Sequence, residues 1–168
     1  MLRGVLFIII LKKRIEGNRL KFKRKQLCLK NAVGFELTIE TGKSFYEQLM
    51  DASISFKKLM MGEDLYFDGP TYFTYVPSEN NQDILVFTTI GNQLKQIAEN
   101  TSGIFFQESL NLTTDFYYRH YDQEESIPYE EIERKISEAG FKLVNIFHAV
   151  LDLYGDYVVD LYCEVERV

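Results

Sequence analysis

The tetrapeptide Thr41-Gly42-Lys43-Ser44 has the order of residues that ends a phosphate-binding loop, where backbone N–H groups and a lysine hold phosphate oxygens. That loop also needs a glycine five positions before Gly42, and position 37 is Leu37, so the segment reads instead as the opening of a helix. The two histidines, His120 and His148, each fall in a strand-like run without a second His, Cys or carboxylate at ligand spacing, which leaves each as a structural imidazole and no metal set. Catalytic triads assemble across space, but no nucleophile-elbow pattern stands in the chain to support one. Cys28 and Cys163 lack C-x-x-C spacing and a disulfide framework; they read as small core hydrophobes of a protein from a reducing compartment, which predicts a cytoplasmic protein. Asp122, Glu124, Glu125, Glu130, Glu131 and Glu133 gather around a helix start, where carboxylates suit the positive end of the helix dipole. The sharper reading of that stretch is a surface for a cationic partner. No catalytic constellation and no cofactor motif emerges.

The elements that would position these residues follow from periodicity. Gln26–Ile39 alternates, with Leu27, Leu29, Val33, Phe35 and Leu37 on one face, which predicts a half-buried strand. Phe45, Leu49, Ala52, Phe56 and Leu59 recur at helical spacing. Thr71–Val76 and Asp83–Ile90 are β-rich runs separated by a polar loop, and residues 91–103 read as a crossing segment with one helical turn. Thr114–Tyr121 alternates again. A helix follows, with Ser126 as its cap, Pro128 in its first turn, Tyr129, Ile132, Ile136 and Ala139 as its stripe and Gly140 at its end. Lys142–Leu153 and Asp156–Glu166 then predict a hairpin turning at Tyr154-Gly155. The order strand, helix, strand, strand occurs twice, over about 24–90 and 114–167. The expectation is an α+β domain of duplicated β-α-β-β units, forming one antiparallel sheet with its helices on one face.

The 168 residues suit a single domain over residues 20–168, with 46% hydrophobic and 14% aromatic residues, too apolar for a disordered chain. The net charge of −6 is unevenly spread: residues 1–30 hold ten basic groups against Glu16, leaving nine basic and 24 acidic groups for the remainder. So acidic a body repels phosphate backbones, which argues against a nucleic-acid partner. Val5–Leu11 is apolar but far short of the roughly 20 residues of a membrane span. Residues 1–19 read as a basic and apolar extension of the kind a misassigned start site adds, with Leu20 as the alternative first residue.

The duplicated order, together with Asp68-Gly69-Pro70-Thr71-Tyr72, Asp83-Ile84-Leu85-Val86 and Phe116-Tyr117-Tyr118-Arg119-His120-Tyr121 ahead of the Tyr129/Ile132/Ile136 helix, resembles the gyrase-inhibitor-like (GyrI-like) effector-binding family over roughly residues 24–167. The resemblance implies a groove near the pseudo-twofold axis that accepts apolar or cationic small molecules. Two departures stand out. Asp122-Gln123-Glu124-Glu125 replaces a Gly-Pro-like turn, and where the family often places a groove Glu the nearest acid is Asp152, out of register, which speaks against a cationic ligand. The sequence also resembles a branch of this fold from low-GC Gram-positive bacteria whose genes sit near type VII secretion and LXG-toxin loci.

These readings make the chain a non-enzymatic binding or adaptor domain, an accessory protein of type VII secretion, without cofactor or metal. Its partner is an apolar small molecule or a protein, in a groove lined by Phe73, Tyr75, Phe116, Tyr118, Asp152 and Tyr154. One alternative is a stand-alone small-molecule sensor in transcriptional regulation, with DNA contacted by another chain. The other is a small-substrate hydrolase, with Asp152 or Glu36 as general base and Tyr75 or Tyr118 as hydrogen-bond donor.

Overall fold

The computed structural model describes residues 20–76, 83–91, 103–121, 125–153 and 156–168. Their order is β1 (Lys23–Thr38), α1 (Phe45–Met61), β2 (Thr71–Tyr75), β3 (Asp83–Thr89), β4 (Ile104–His120), α2 (Tyr129–Glu138), β5 (Phe141–Leu153) and β6 (Asp156–Arg167), so β-α-β-β occurs twice. The extension 1–19, the Asp122-Gln123-Glu124 stretch, the turn at Tyr154-Gly155 and most of the crossing segment lie outside the described residues.

All pairings are antiparallel, and the single sheet closes on itself as a barrel in the order β1-β3-β2-β5-β6-β4. Closure depends on β1. Its residues Ala32–Phe35 are hydrogen-bonded to β3 on one side and to β4 on the other, while Lys23–Lys30 pair with β4. The expected single antiparallel sheet closes into a ring, because β1 and β4 are 16 and 17 residues long, enough to span both halves. β4 begins at Ile104, ten residues before the expected Thr114.

Local chemistry explains the helix boundaries. Ser44 caps α1, its Oγ accepting the Glu47 N–H at 3.4 Å, so Thr41–Ser44 opens a helix as its sequence implies. The helix buries Leu49, Ser53, Phe56 and Met60; Leu59, expected in the stripe, is 63% exposed, since Met60 stands four residues after Phe56 and takes the inward position. α2 starts directly after Pro128, whose missing N–H costs nothing at a helix entry, and no side chain caps it, so Ser126 does not play that part. Gly140 ends it at φ +83°, a conformation other residues adopt only with strain, and donates its N–H to Ser137.

The sheet has two distinct faces. Ile132 and Ile136 of α2 pack on Phe116, Tyr118, Ile146, Val159, Leu161 and Cys163. Leu49, Phe56 and Met60 of α1 pack on Phe73, Ile84, Val86, Val33 and Ile90. Both helices thus cover the same side. The inner side carries Leu27, Leu29, Ala32, Tyr72, Phe87 and Ala149, joined by Leu85, Phe105, Leu110, Leu112, Phe147 and Tyr162.

β1 does not keep one face, as its sequence alternation predicts. Leu27 and Leu29 face inward, whereas Val33 and Phe35 face the helices. The change occurs at Asn31, whose φ of +52° flips the pleat. Of the two cysteines, Cys163 is a buried core residue, but Cys28 is exposed, because it alternates with the inward Leu27 and Leu29.

Gly34 lies where β1 is paired on both edges, and a Cβ there would stand 2.2 Å from the Val86 carbonyl oxygen and 2.5 Å from the Phe87 Cβ. Gly34→Ala is expected to lower unfolding stability by about 1–3 kcal/mol, the usual cost of overpacking, in urea denaturation. Gly42→Ala, in open space at φ +87°, should cost only backbone strain and make the smaller change.

Candidate functional site

The inner face opens into a cavity of about 580 Å³. Leu85 and Phe87 of β3, Phe105, Leu110 and Leu112 of β4 and Phe147 of β5 form its apolar wall; Thr74, Gln107, Ser109, Asn111, Asn145 and Glu164 are its polar members. Phe87 is held flat by Tyr72, their ring centroids 5.3 Å apart at an interplanar angle of 15°, and meets Phe105 at 6.3 Å. Glu164 is the one acid among the described lining residues, and it has no hydrogen bond or ion pair to another described residue. Half-buried, it shares the lining with Phe87, Phe105 and Phe147.

The strand irregularities produce this arrangement. β5 and β6 slip by one residue at Val144: Leu143 pairs with Val165, but Asn145 pairs with Glu164. Leu143 packs toward α2 while Asn145 lines the cavity, although the two are an even number of residues apart. The extra residue, Val144, is pushed into solvent. Asn145 Oδ1 then accepts the Thr74 hydroxyl at 2.5 Å and the Ile146 N–H at 2.8 Å, tying β5 to β2 beyond the last paired residues, Phe73 and His148.

At the far end of the inner face, four residues back along β6 from Glu164, Asp160 is buried. Arg119, its cross-strand partner, grips it with Nε and with Nη2 at 2.6 Å, and the Tyr117 hydroxyl donates to it at 2.8 Å. This carboxylate is satisfied and serves to fasten β4 to β6.

The residues expected to line a groove lie elsewhere. Phe73 is fully buried under α1, and Phe116 and Tyr118 belong to the core beneath α2. Tyr75 is 42% exposed on the helix side, edge-on to His148. Asp152 is exposed near the end of β5, opposite Tyr157. Tyr154 lies outside the described residues. Glu36, the other acid weighed as a base, is exposed beside Leu85 and does not line the cavity. The cavity instead uses the opposite pleat of β2 and β5 and a part of β4 whose polar, loosely patterned sequence gave no strand signal. Glu164 was legible only as an acid near the chain's end.

His148 and His120 are both held by ordinary partners. His120 Nε2 contacts the Glu125 carbonyl at 2.9 Å. His148 is completely buried, stacked on Phe73 with centroids 4.1 Å apart. Its Nδ1 donates to the Phe73 carbonyl at 3.3 Å, which fixes the tautomer, so Nε2 accepts the Tyr129 hydroxyl at 3.0 Å. Burial pushes its pKa down to about 3, only partly opposed by the bonds to the backbone of Phe73 and Ile146. The imidazole is neutral at physiological pH. Among the described residues no group of three or more His, Cys, Asp or Glu could hold a metal, and no helix is long and apolar enough to cross a membrane.

No protein-family model and no curated protein matches the sequence. Solved structures do match. The chain aligns over its whole length with EcmrR in a cryo-EM structure of the EcmrR–DNA complex, at 14% identity and a TM-score of 0.67; it spans 65% of that chain, short of two thirds. The crystal structure of the EcmrR C-terminal domain matches at 12% identity and a TM-score of 0.64, with 89% of this chain and 99% of that domain covered. SAV2435 bound to tetraphenylphosphonium aligns more loosely, at 15% identity and a TM-score of 0.49, over 87% of this chain and 94% of that one. The fold is that of the EcmrR C-terminal domain, consistent with the GyrI-like architecture that the element order implies.

The buried imidazole makes a prediction about acid stability. An unfolded histidine titrates near 6.5 and the folded one near 3, so the unfolded chain binds the extra proton between those values and stability falls as pH drops through that window. Above it the ring is neutral in both states and contributes no pH dependence. Urea denaturation across the window should show a slope lower by up to about 1.4 kcal/mol per pH unit in His148→Gln than in the wild-type chain.

Proposed function

We propose that this chain is a non-enzymatic binding domain whose inner groove takes an organic cation with an aromatic or otherwise apolar body. One observation carries the reading: the Glu164 carboxylate has no described partner, is the one charged group among the described lining residues, and shares the cavity with the apolar wall of Leu85, Phe87, Phe105, Leu110, Leu112 and Phe147. An anion beside apolar surface is poorly compensated, and its interaction with a cation strengthens as water leaves the groove. Aromatic faces also attract cations through their ring quadrupoles. The volume suits a drug-sized molecule.

A hydrolase would need its acid at the cavity. Glu36, Asp152 and Tyr118, the residues weighed for hydrolysis, lie away from its lining, so among the described lining residues only Glu164 could serve, and the present reading gives that carboxylate to the ligand's cation. The fold shared with the C-terminal domain of EcmrR, a protein solved in complex with DNA, favours one setting for such binding, as the sensor of a transcriptional response. DNA contact would then come from outside the described barrel.

Thermal-shift screening of aromatic cations, followed by calorimetry on the hits, tests the reading, since any ligand bound only by the folded state raises its melting temperature. Glu164→Gln should keep the fold and weaken cation binding about tenfold or more, the scale of one charge-assisted contact, while leaving neutral aromatic compounds unaffected. Equal binding of cations by wild type and variant would remove Glu164 from the site.

A further inference from the structure

The amide of Asn145 can be oriented in only one way. Its oxygen accepts the Ile146 backbone N–H and the Thr74 hydroxyl, and because a backbone N–H only donates, turning the amide over would set donor against donor. The Asn145 NH2 therefore points away from both, and no described residue accepts from it. Asn145 and Glu164 both line the cavity and are direct cross-strand partners, a relation that holds Cβ atoms about 4.5–5.5 Å apart. The wall thus presents a fixed N–H donor side by side with an anionic acceptor.

Resting on the reading of the groove as a cation site, we infer that this pair selects a protonated primary or secondary amine that carries a hydrogen-bond acceptor, such as a carbonyl, on an adjacent carbon, in preference to a quaternary cation of the same size. The ammonium N–H groups meet Glu164 and the ligand's acceptor meets the Asn145 NH2. A quaternary cation has no N–H to offer and no lone pair for the amide, so it would dry both groups without replacing their hydrogen bonds with water.

Three probes separate the terms by calorimetry on the full chain at about pH 6, where an α-ammonium group is protonated. They are naphthylalaninamide, naphthylethylamine and naphthylethyl-trimethylammonium. The expected order is the amide tightest, the simple amine about tenfold weaker and the quaternary compound weaker again by a similar factor. Asn145→Asp, which keeps the oxygen that Thr74 and Ile146 need, should abolish the gap between the first two probes without weakening the simple amine. Equal affinities of the wild-type chain for all three would overturn the selectivity and leave the cation reading standing. Failure of all three to bind would sink both. The ranking on the wild-type chain decides the matter even if the variant does not fold.

Discussion

A strand residue faces one side of its sheet or the other, so a strand that runs from a helix-covered core into the wall of a groove has to change sides on the way. Three irregularities meet that demand here. Asn31 takes a positive φ in β1, β1 and β4 slip between Lys23 and Lys25, and β5 slips against β6 at Val144. Each lets one continuous strand supply apolar residues to the helices at one end and to the cavity at the other. Without them, strands of 12 to 17 residues would bury a single face and leave the inner wall polar.

Side switching also decides which polar groups are fixed and which are left over. On the helix side, His148 spends both ring nitrogens on Phe73 and Tyr129, and burial keeps it uncharged. On the inner side, Asp160 is consumed by Arg119 and Tyr117. Thr74 consumes the oxygen of Asn145 and bonds the Ile146 carbonyl as well, at 3.0 Å. Glu164 and the Asn145 NH2 remain outside these closed sets, and they stand together because the Val144 bulge turns Asn145 inward. Polar groups whose hydrogen bonds are complete hold the barrel; the incomplete ones face the cavity.

The same irregularities mark how far the sequence could be read. Long regular stretches were legible: α1 opening after Thr41–Ser44, the hairpin of β5 and β6, and the repeated order of elements all follow from periodicity and turn chemistry. The face assignment of β1 was not, because Leu27, Leu29, Val33 and Phe35 keep perfect alternation in sequence while Asn31 reverses the pleat between them. The first half of β4 was not, because Gln107, Glu108, Ser109, Asn111 and Thr113 dilute its hydrophobic signal. Its edge is specified by pairing with β1, a contact 69 or more residues away that no local window contains. The candidate groove residues Phe73, Phe116 and Tyr118 were chosen for aromatic character, and their burial under the helices shows why that property alone is ambiguous: an aromatic strand residue serves a core at least as well as a cavity.

Charge placement bears on what the groove can attract. The basic residues at the start of β1 would oppose a cation if they faced the groove, yet Lys30 alternates with Leu29, so the wall that turns its leucine inward turns its lysine outward. Arg24 is engaged with Asp115 at 3.6 Å, and Lys25 lies over the Tyr117 ring at 5.5 Å, so both cations have partners of their own. Beyond residue 30 the chain carries 24 acidic groups against nine basic ones, a distribution that raises the local concentration of cations around the barrel. Long-range charge and the single lining carboxylate therefore act in the same direction, the first on the rate of encounter and the second on what is retained.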